Sequence, residues 1–355
     1  MQIASVEVIP YALPFREPYV TARGRLARRE MVLLRLRSED GLEGLGEAVP
    51  LALRGGAALA QVVSELEALG EREELGEASL RGGAVALSAP ARCAALTALL
   101  DLRGKRAAAE GRSSTGQAPP VRCNATLGAG EPAAVVSAAE RWAAEGFSTF
   151  KLKLGTGDDA AQVRAVREAL GPRARIRVDV NGAWDLETAK QVLQEIAPYE
   201  IELAEQPVAT VVETVELAAS TSIPLAADES VESRADAERV AASGAFAMTG
   251  VKLSKVGGPE EALEIAELLP AYVTSALDGP VGIAVALQVA QSLGDLGRTP
   301  GESLAHGLAT QRLFASTIAS VGCELRGDML HPPAGPGLGI EIDERALSSH
   351  RLDAR

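Results

Sequence analysis

The sequence predicts an α/β protein in which a (β/α) barrel follows a smaller α+β domain. Three observations point there. At 355 residues the chain exceeds what one hydrophobic core usually serves. Its first part runs strands before helices, the order of a small α+β unit. After it, short runs rich in β-branched residues alternate regularly with amphipathic stretches of about ten to fifteen residues, as parallel strands and their covering helices do.

In chain order, residues 3–13 and 30–38 alternate like strands, Gly41, Gly44 and Gly46 have turn character, and residues 57–69 and 91–102 are alanine-rich helical stretches. Residues 104–120, with Arg-Ser-Ser-Thr-Gly-Gln-Ala-Pro-Pro, have a connector's composition. The expected division is an N-terminal domain over 1–115, a barrel over 116–325 and a C-terminal segment over 326–355. In that last segment Gly-Pro-Gly-Leu-Gly-Ile-Glu-Ile-Asp opens as a turn and becomes a short strand returning to the N-terminal domain. Barrel strands should end near Leu127, Leu154, Val180, Glu205, Asp228, Leu253, Ser275 and His306. Helices are expected over 132–145, 160–170, 186–196, 211–220, 235–243, 259–269 and 281–293. A doubly wound open sheet is the runner-up, but no glycine-rich phosphate fingerprint follows the first strand.

Composition narrows the function. A net charge of −13 argues against nucleic-acid binding, which needs clustered Lys and Arg, and gives an anionic ligand reason to seek a local positive centre. The apolar runs are far shorter than a membrane span, and the opening residues lack a secretory pattern, so no membrane partner and a cytoplasmic location are expected. Cys93, Cys123 and Cys323 have no paired spacing and read as reduced thiols. With only His306, His331 and His350, chemistry built on a histidine base has few places to live.

The informative residues lie at strand ends, where a barrel places its chemistry. Phe-Lys-Leu-Lys-Leu-Gly at 150–155 puts Lys151 and Lys153 on one strand face. Lys153 is followed by Asp179, Glu205, Asp228 and Lys252 at steps of 26, 26, 23 and 24 residues, about one strand and helix each. Singly these have plain readings: a strand-end carboxylate is more often a helix cap, as Glu229 and Ser230 could be, and paired lysines often blunt an edge strand. Lys255, past its strand, fits a loop cation. Jointly, charges on five successive strands buried on both faces need mutual compensation. Three converging carboxylates without histidine or thiolate suit Mg²⁺ or Mn²⁺, with an open side for a substrate carboxylate. An ammonium that is desolvated beside a divalent cation has its pKa pushed down, so Lys153 or Lys252 could remove a proton α to that carboxylate while the cation stabilises the enediolate. Lys151, one layer deeper, would tune Lys153.

These segments resemble the enolase superfamily, and within it the muconate-lactonizing-enzyme subgroup. The resemblance rests on Lys-Leu-Lys at 151–153, Asp-Val-Asn at 179–181, Glu-Gln-Pro at 205–207, Asp-Glu-Ser at 228–230, Lys-Leu-Ser-Lys-Val-Gly-Gly at 252–258 and Gly-Leu-Gly-Glu-Ala-Val-Pro at 44–50. It implies an enolase-type modified TIM barrel with an N-terminal capping domain, and Mg²⁺ on Asp179, Glu205 and Asp228. It also implies that Lys153 and Lys252 act on opposite faces of a small-molecule carboxylate, and that a loop over 16–29 closes the mouth. Arg16, Arg23 or Arg25 of that loop would meet a distal carboxylate. Asn181, Glu229, Ser275 and Asp278 are the further candidates for supporting the site or touching substrate. Mandelate-racemase-like members use a histidine base on the strand that here ends in Ser275, which favours the lysine-based subgroup.

Within the subgroup, Ser-Ala-Leu-Asp-Gly-Pro-Val-Gly at 275–282 and Ala-His-Gly-Leu-Ala-Thr at 305–310 look most like the o-succinylbenzoate synthases of menaquinone biosynthesis, which are lyases. Thr274 departs from the serine pair that type often has. N-acylamino acid racemisation, dipeptide epimerisation and muconate cycloisomerisation are the alternatives. The Asp-x-Asp by which dipeptide epimerases hold a substrate ammonium is missing. A catalytically silent binding barrel is the non-enzymatic alternative, against which the joint presence of both lysines and three carboxylates speaks. A homo-oligomer is compatible with all of these.

Overall fold

The structure, a computed structural model, describes residues 2–21, 24–50, 55–71, 86–112, 118–294 and 304–353. Strands β1 (Ile3–Thr21), β2 (Gly24–Ser38) and β3 (Glu43–Ala48) form an antiparallel sheet in that order, packed by helices α1 (Leu59–Gly70) and α2 (Ala89–Ala109). Side-chain alternation gives this sheet two buried faces. Val32, Leu34 and Leu36 pack with Leu66, Leu69 and Leu99 of the helices, while Met31 and Leu33 join the core shared with the barrel.

Gly44 and Gly46 lie inside β3 rather than in a turn; only Gly41 takes the left-handed turn conformation, at φ 84°. A Cβ on Gly46 would run into the carbonyl of Ala94, so glycine there lets α2 lie against the strand. Helix α2 also runs on to Ala109, into the expected connector.

A two-residue strand, β4 (Val121–Arg122), leads into the barrel. Its parallel strands are β5 (Ala125–Leu127), β6 (Thr149–Lys153), β7 (Arg175–Asp179), β8 (Ile201–Glu205), β9 (Leu225–Ala227), β10 (Met248–Val251) and β11 (Ala271–Val273), side by side in chain order. Between them run α3 (Pro132–Ala144), α4 (Asp159–Leu170), α5 (Leu186–Ile196), α6 (Val211–Ala218), α7 (Arg234–Ser243), the one-turn α8 (Leu253–Val256) and α9 (Pro259–Leu268). Helix α10 (Pro280–Leu293) follows β11. Helix starts are locally specified: Asp158, Asp185 and Ser233 accept from the third residue of their helices, and Thr210 with Glu213 forms a reciprocal capping box.

The expected eighth strand is reduced to single parallel bridges, Cys123 to His306 and Thr274 to Gly307. Asn124 N donates to His306 O at 2.9 Å and Ser275 N to Gly307 O at 3.0 Å, so this short segment joins the two sheet edges and closes the barrel. Strand β12 (Ala319–Val321) pairs with β15 (Glu341–Ile342), and β13 (Glu324–Arg326) and β14 (Met329–His331) pair in a hairpin that adds β4. The tail's alternating segment thus pairs with β12 rather than with the N-terminal sheet. Contacts to that sheet and its helices come on either side of it: Leu338 N donates to Asp101 Oδ1 at 2.8 Å, and Leu352 N, beyond α11 (Glu344–His350), to Pro10 O at 2.9 Å.

Candidate active site

Parallel register brings the charged strand ends together. Lys153 stands opposite Asp179, and Asp179 opposite Glu205, at the ends of β6, β7 and β8. A register shift after Ile176 sets Arg177 opposite Leu203, which keeps Asp179 and Glu205 on one face. Asp228 and Lys252 follow directly after β9 and β10. Asp179, Glu205 and Asp228 are fully buried, as are Lys151, Lys153, Lys252 and Lys255 to within a few per cent.

The ammonium groups are distributed over the carboxylates. Lys151 Nζ lies 2.7 Å from Asp179 Oδ2 and 2.6 Å from Glu205 Oε2, and Lys153 Nζ lies 2.6 Å from Asp179 Oδ2. Lys252 Nζ pairs with Asp228 Oδ2, while Lys255 Nζ reaches Asp228 Oδ1 at 2.9 Å and also its carbonyl. Lys255 is therefore no loop cation. One helical turn past Lys252, α8 folds it back onto the same carboxylate, and the Lys-x-x-Lys spacing was the signal for it.

Within these pairings the pKa values of Lys151 and Lys153 are both raised. Burial is the largest influence on Lys153 and lowers its pKa, but Asp179 together with Tyr19 and Glu205 outweighs it and holds the value above the ordinary one. Lys151 goes the same way, well above the ordinary value: burial lowers it, and Asp179 with Glu205 more than offsets that. Burial raises Asp179, but Lys151 and Lys153 overcome it and hold its carboxyl well below the usual range. Glu205 is raised by burial and then by Asp179, despite its own contact with Lys151. Of the two carboxylates sharing Lys151, Asp179 is the more acidic.

Other side chains brace this set. Asn181, at φ 52°, accepts from Lys153 Nζ at 2.8 Å, donates its backbone N–H to Asp179 Oδ1 at 3.1 Å and its amide to Glu229 Oε1 at 3.1 Å. Asparagine tolerates this left-handed region better than most residues. Gln206, buried at φ 40°, accepts from the backbone N–H of Asp228 and of Ser230, both at 3.1 Å, and donates to Ser230 Oγ at 2.9 Å, which clamps the end of β8 to that of β9. Below them Tyr272 donates to Glu205 Oε2, and the fully buried Arg177 guanidinium lies 5.2 Å from the Tyr272 ring centre. Tyr272 and Arg177 carry no signal in the sequence, because an inward Tyr or Arg looks like any other residue of an alternating strand, and Gln206 is visible there only as the middle of Glu-Gln-Pro.

Ser275 and Asp278 share a turn after β11. Asp278 accepts from Ser275 Oγ at 2.6 Å and from Ala276 N at 2.7 Å. Arg16 is exposed and donates to the Arg312 carbonyl at 3.2 Å, and Arg25 is exposed opposite Val20, so neither joins the ion pairs of the rim. Arg23 lies outside the described residues. His306 accepts from Val273 N at 3.0 Å, and burial, with help from Arg177, lowers its pKa to about 4, so it is a neutral structural residue. A cavity of about 780 Å³ beside the rim is lined by Arg16, Tyr19, Thr126, Trp142 and Arg312, but by none of the rim lysines and not by Asp179, Glu205 or Asp228.

Among the described residues no three His, Cys, Asp or Glu side chains converge on one point; the lysines space the carboxylates apart. The chemistry of the set nonetheless fits a hard divalent cation. Three fully buried carboxylates stand at successive strand ends, and Glu205 Oε1 is buried without a hydrogen-bond partner.

Comparison with known proteins agrees with this architecture. Residues 3–110 match the mandelate racemase / muconate lactonizing enzyme N-terminal domain, and residues 134–346 the enolase C-terminal domain-like family. An o-succinylbenzoate synthase of Thermobifida fusca is 37% identical over 244 residues, covering 66% of this chain and 73% of the relative. Muconate cycloisomerase 1 of Pseudomonas putida is 30% identical over 96% of both chains, and a hydrophobic dipeptide epimerase of Enterococcus faecalis 31% identical over 76% of this chain and 79% of its own. The muconate lactonizing enzyme of Pseudomonas fluorescens, solved with muconolactone, superposes with a TM-score of 0.88 at 29% identity, covering 99% of each chain. The Enterococcus faecalis dipeptide epimerase, solved with Mg and a dipeptide, gives a TM-score of 0.87 at 26% identity, covering 96% of this chain and all of the other. The chain is an enzyme of the enolase superfamily and belongs to its muconate-lactonizing-enzyme subgroup.

Proposed function

We propose that the protein removes a proton α to a carboxylate, with Lys153 and Lys252 as the proton-handling groups. The observation that carries this reading is the pair of buried lysines on the two sides of three buried carboxylates in consecutive strands. Asp179, Glu205 and Asp228 would hold Mg²⁺, or Mn²⁺ in its place. When bound, the cation supplies positive charge to the substrate carboxylate as electron density builds on it. With the charge of Asp179 taken up in this way, burial is left as the main influence on Lys153 and lowers its pKa toward that of a working base.

The reaction that fits best is dehydration to o-succinylbenzoate, a lyase step in menaquinone biosynthesis. Lys153 Nζ takes the α-proton of a cyclohexadiene carboxylate and returns it to the departing β-hydroxyl, which leaves as water. Lys252 stays protonated and balances charge on the other side. Aromatisation drives the step. Support comes from the 37% identical relative and from the Ser275–Asp278 turn, where the carboxylate of Asp278 is already taken by Ser275 and Ala276 and is poorly placed to hold a substrate ammonium. Racemisation of an N-acylamino acid or epimerisation of a dipeptide is the second reading, favoured by having a lysine on both sides of the site; muconate cycloisomerisation uses the same groups.

The test is incubation of the protein and Mg²⁺ with the cyclohexadiene carboxylate. Aromatic absorbance should grow at a rate far above the blank. A flat trace, together with racemisation of N-acylamino acids by the same sample, would replace the first reading by the second.

A further inference from the structure

The capping sheet grips the barrel at one turn of its rim, and the grip is built from three strands. Glu47 of β3 is buried where it meets α10. Its Oε1 accepts from Gly279 N at 2.6 Å, and its Oε2 accepts from Tyr11 OH of β1 at 2.8 Å and from Val281 N at 3.3 Å. Gly279 and Gly282 make room for it, since a Cβ on either would come within 2.7 Å of a Glu47 carboxylate oxygen. From β2, Arg29 donates to the Ala276 carbonyl at 3.1 Å and to the Pro50 carbonyl at 2.9 Å.

The gripped turn is not one the chain would adopt by itself. Leu277 is held at φ 68°, a left-handed conformation that costs a branched side chain energy and persists only where the surroundings impose it. The turn is also wired inward. Asp278 Oδ1 lies 3.4 Å from Ser254 Oγ, and Ser254 sits in α8 between Lys252 and Lys255. A continuous path of contacts therefore runs from the capping sheet through residues 275–279 to the segment that presents Lys252.

We propose that Glu47 is a positioning residue which, from the capping domain, fixes the turn at 275–279 and through Asp278 and Ser254 the segment carrying Lys252. The role rests on the proton-abstraction reading for its catalytic consequence, but not for its structural one. A carboxylate is suited to it because two oxygens accept from three donors on two domains, and Asp and Glu are favoured at the N-terminal end of a helix such as α10. Glutamine keeps the volume and gives up one acceptor, so it loosens the grip without leaving a hole.

The experiment compares the full-length wild type with Glu47→Gln and Ser254→Ala by amide hydrogen exchange and by kinetics of α-hydrogen exchange. In Glu47→Gln, peptides over 275–283 and 252–258 should exchange at least about tenfold faster while those over 201–206 are unchanged, because only contacts on this path are lost. Ser254→Ala should free 252–258 and leave 275–283 protected. The kcat/KM for α-hydrogen exchange should fall by up to about 100-fold in Glu47→Gln, with kcat sharing in the loss because the displaced segment carries Lys252. Unchanged protection at 275–283, or faster exchange spread evenly over the barrel, would overturn the proposal. A wild type that exchanges no α-hydrogen would count against the reaction and not against the role of Glu47, which the protection data judge separately.

Discussion

Lys151 is the residue on which the resting charge balance turns, since its ammonium is shared between Asp179 and Glu205. Removing one partner of a buried charged set strands the other, at about 3–5 kcal/mol. Lys151→Met should therefore lower the unfolding free energy of the metal-free protein by that order in urea titrations with chelator, and added Mg²⁺ should restore part of it. Equal stability of variant and wild type would show that the pair contributes nothing. His306 makes a separate prediction. Its folded pKa of about 4 lies below the ordinary 6.5, so the unfolded chain takes up the proton first as pH falls. Stability from this group is complete above pH 6.5 and is lost between 6.5 and about 4, on the order of 3 kcal/mol in all. His306→Asn keeps an acceptor for Val273 N and should flatten that part of the stability profile; parallel profiles would exclude His306 as its source.

At the scale of elements, the alternation of strands and helices was legible because local rules agree with the fold. The predicted range 186–196 coincides with α5, and those for α3, α4, α6, α7, α9 and α10 differ by only one or two residues at an end. Capping residues and apolar periodicity carry that information. What the sequence did not reveal depends on contacts across the chain. Gly44 and Gly46 look like turn residues until α2 is laid against them, and the strand near His306 survives only as bridges because its neighbours on both edges supply the bonds. Charges at strand ends could be read from their spacing, whereas Tyr272 and Arg177 beneath them could not. Gly46→Ala tests the helix contact. Its Cβ must push the Ala94 backbone aside, a strain of about 1–3 kcal/mol, and thermal unfolding should fall accordingly. An unshifted midpoint would mean that α2 is not held against β3.

The whole molecule joins a charged barrel mouth to a capping sheet that shares its core with the barrel. No helix among the described residues is long and apolar enough to cross a membrane. In a chain of net charge −13, four buried lysines are gathered around the three buried carboxylates of the rim. If the carboxylates bind Mg²⁺ when folded and not when unfolded, saturation at 100 times Kd adds about 2.7 kcal/mol of stability, measurable as a shift of the urea midpoint that chelator reverses. The central claim is that these groups abstract an α-proton, and its most direct test is deuterium wash-in at carbon α. The protein would be incubated with Mg²⁺ in heavy water with a panel of carboxylates that includes the cyclohexadiene acid, N-acylamino acids and dipeptides. The account predicts incorporation into at least one of them by the wild type, and a loss of about 100-fold or more in Lys153→Ala. No incorporation across the panel, or an undiminished rate in Lys153→Ala, would contradict it.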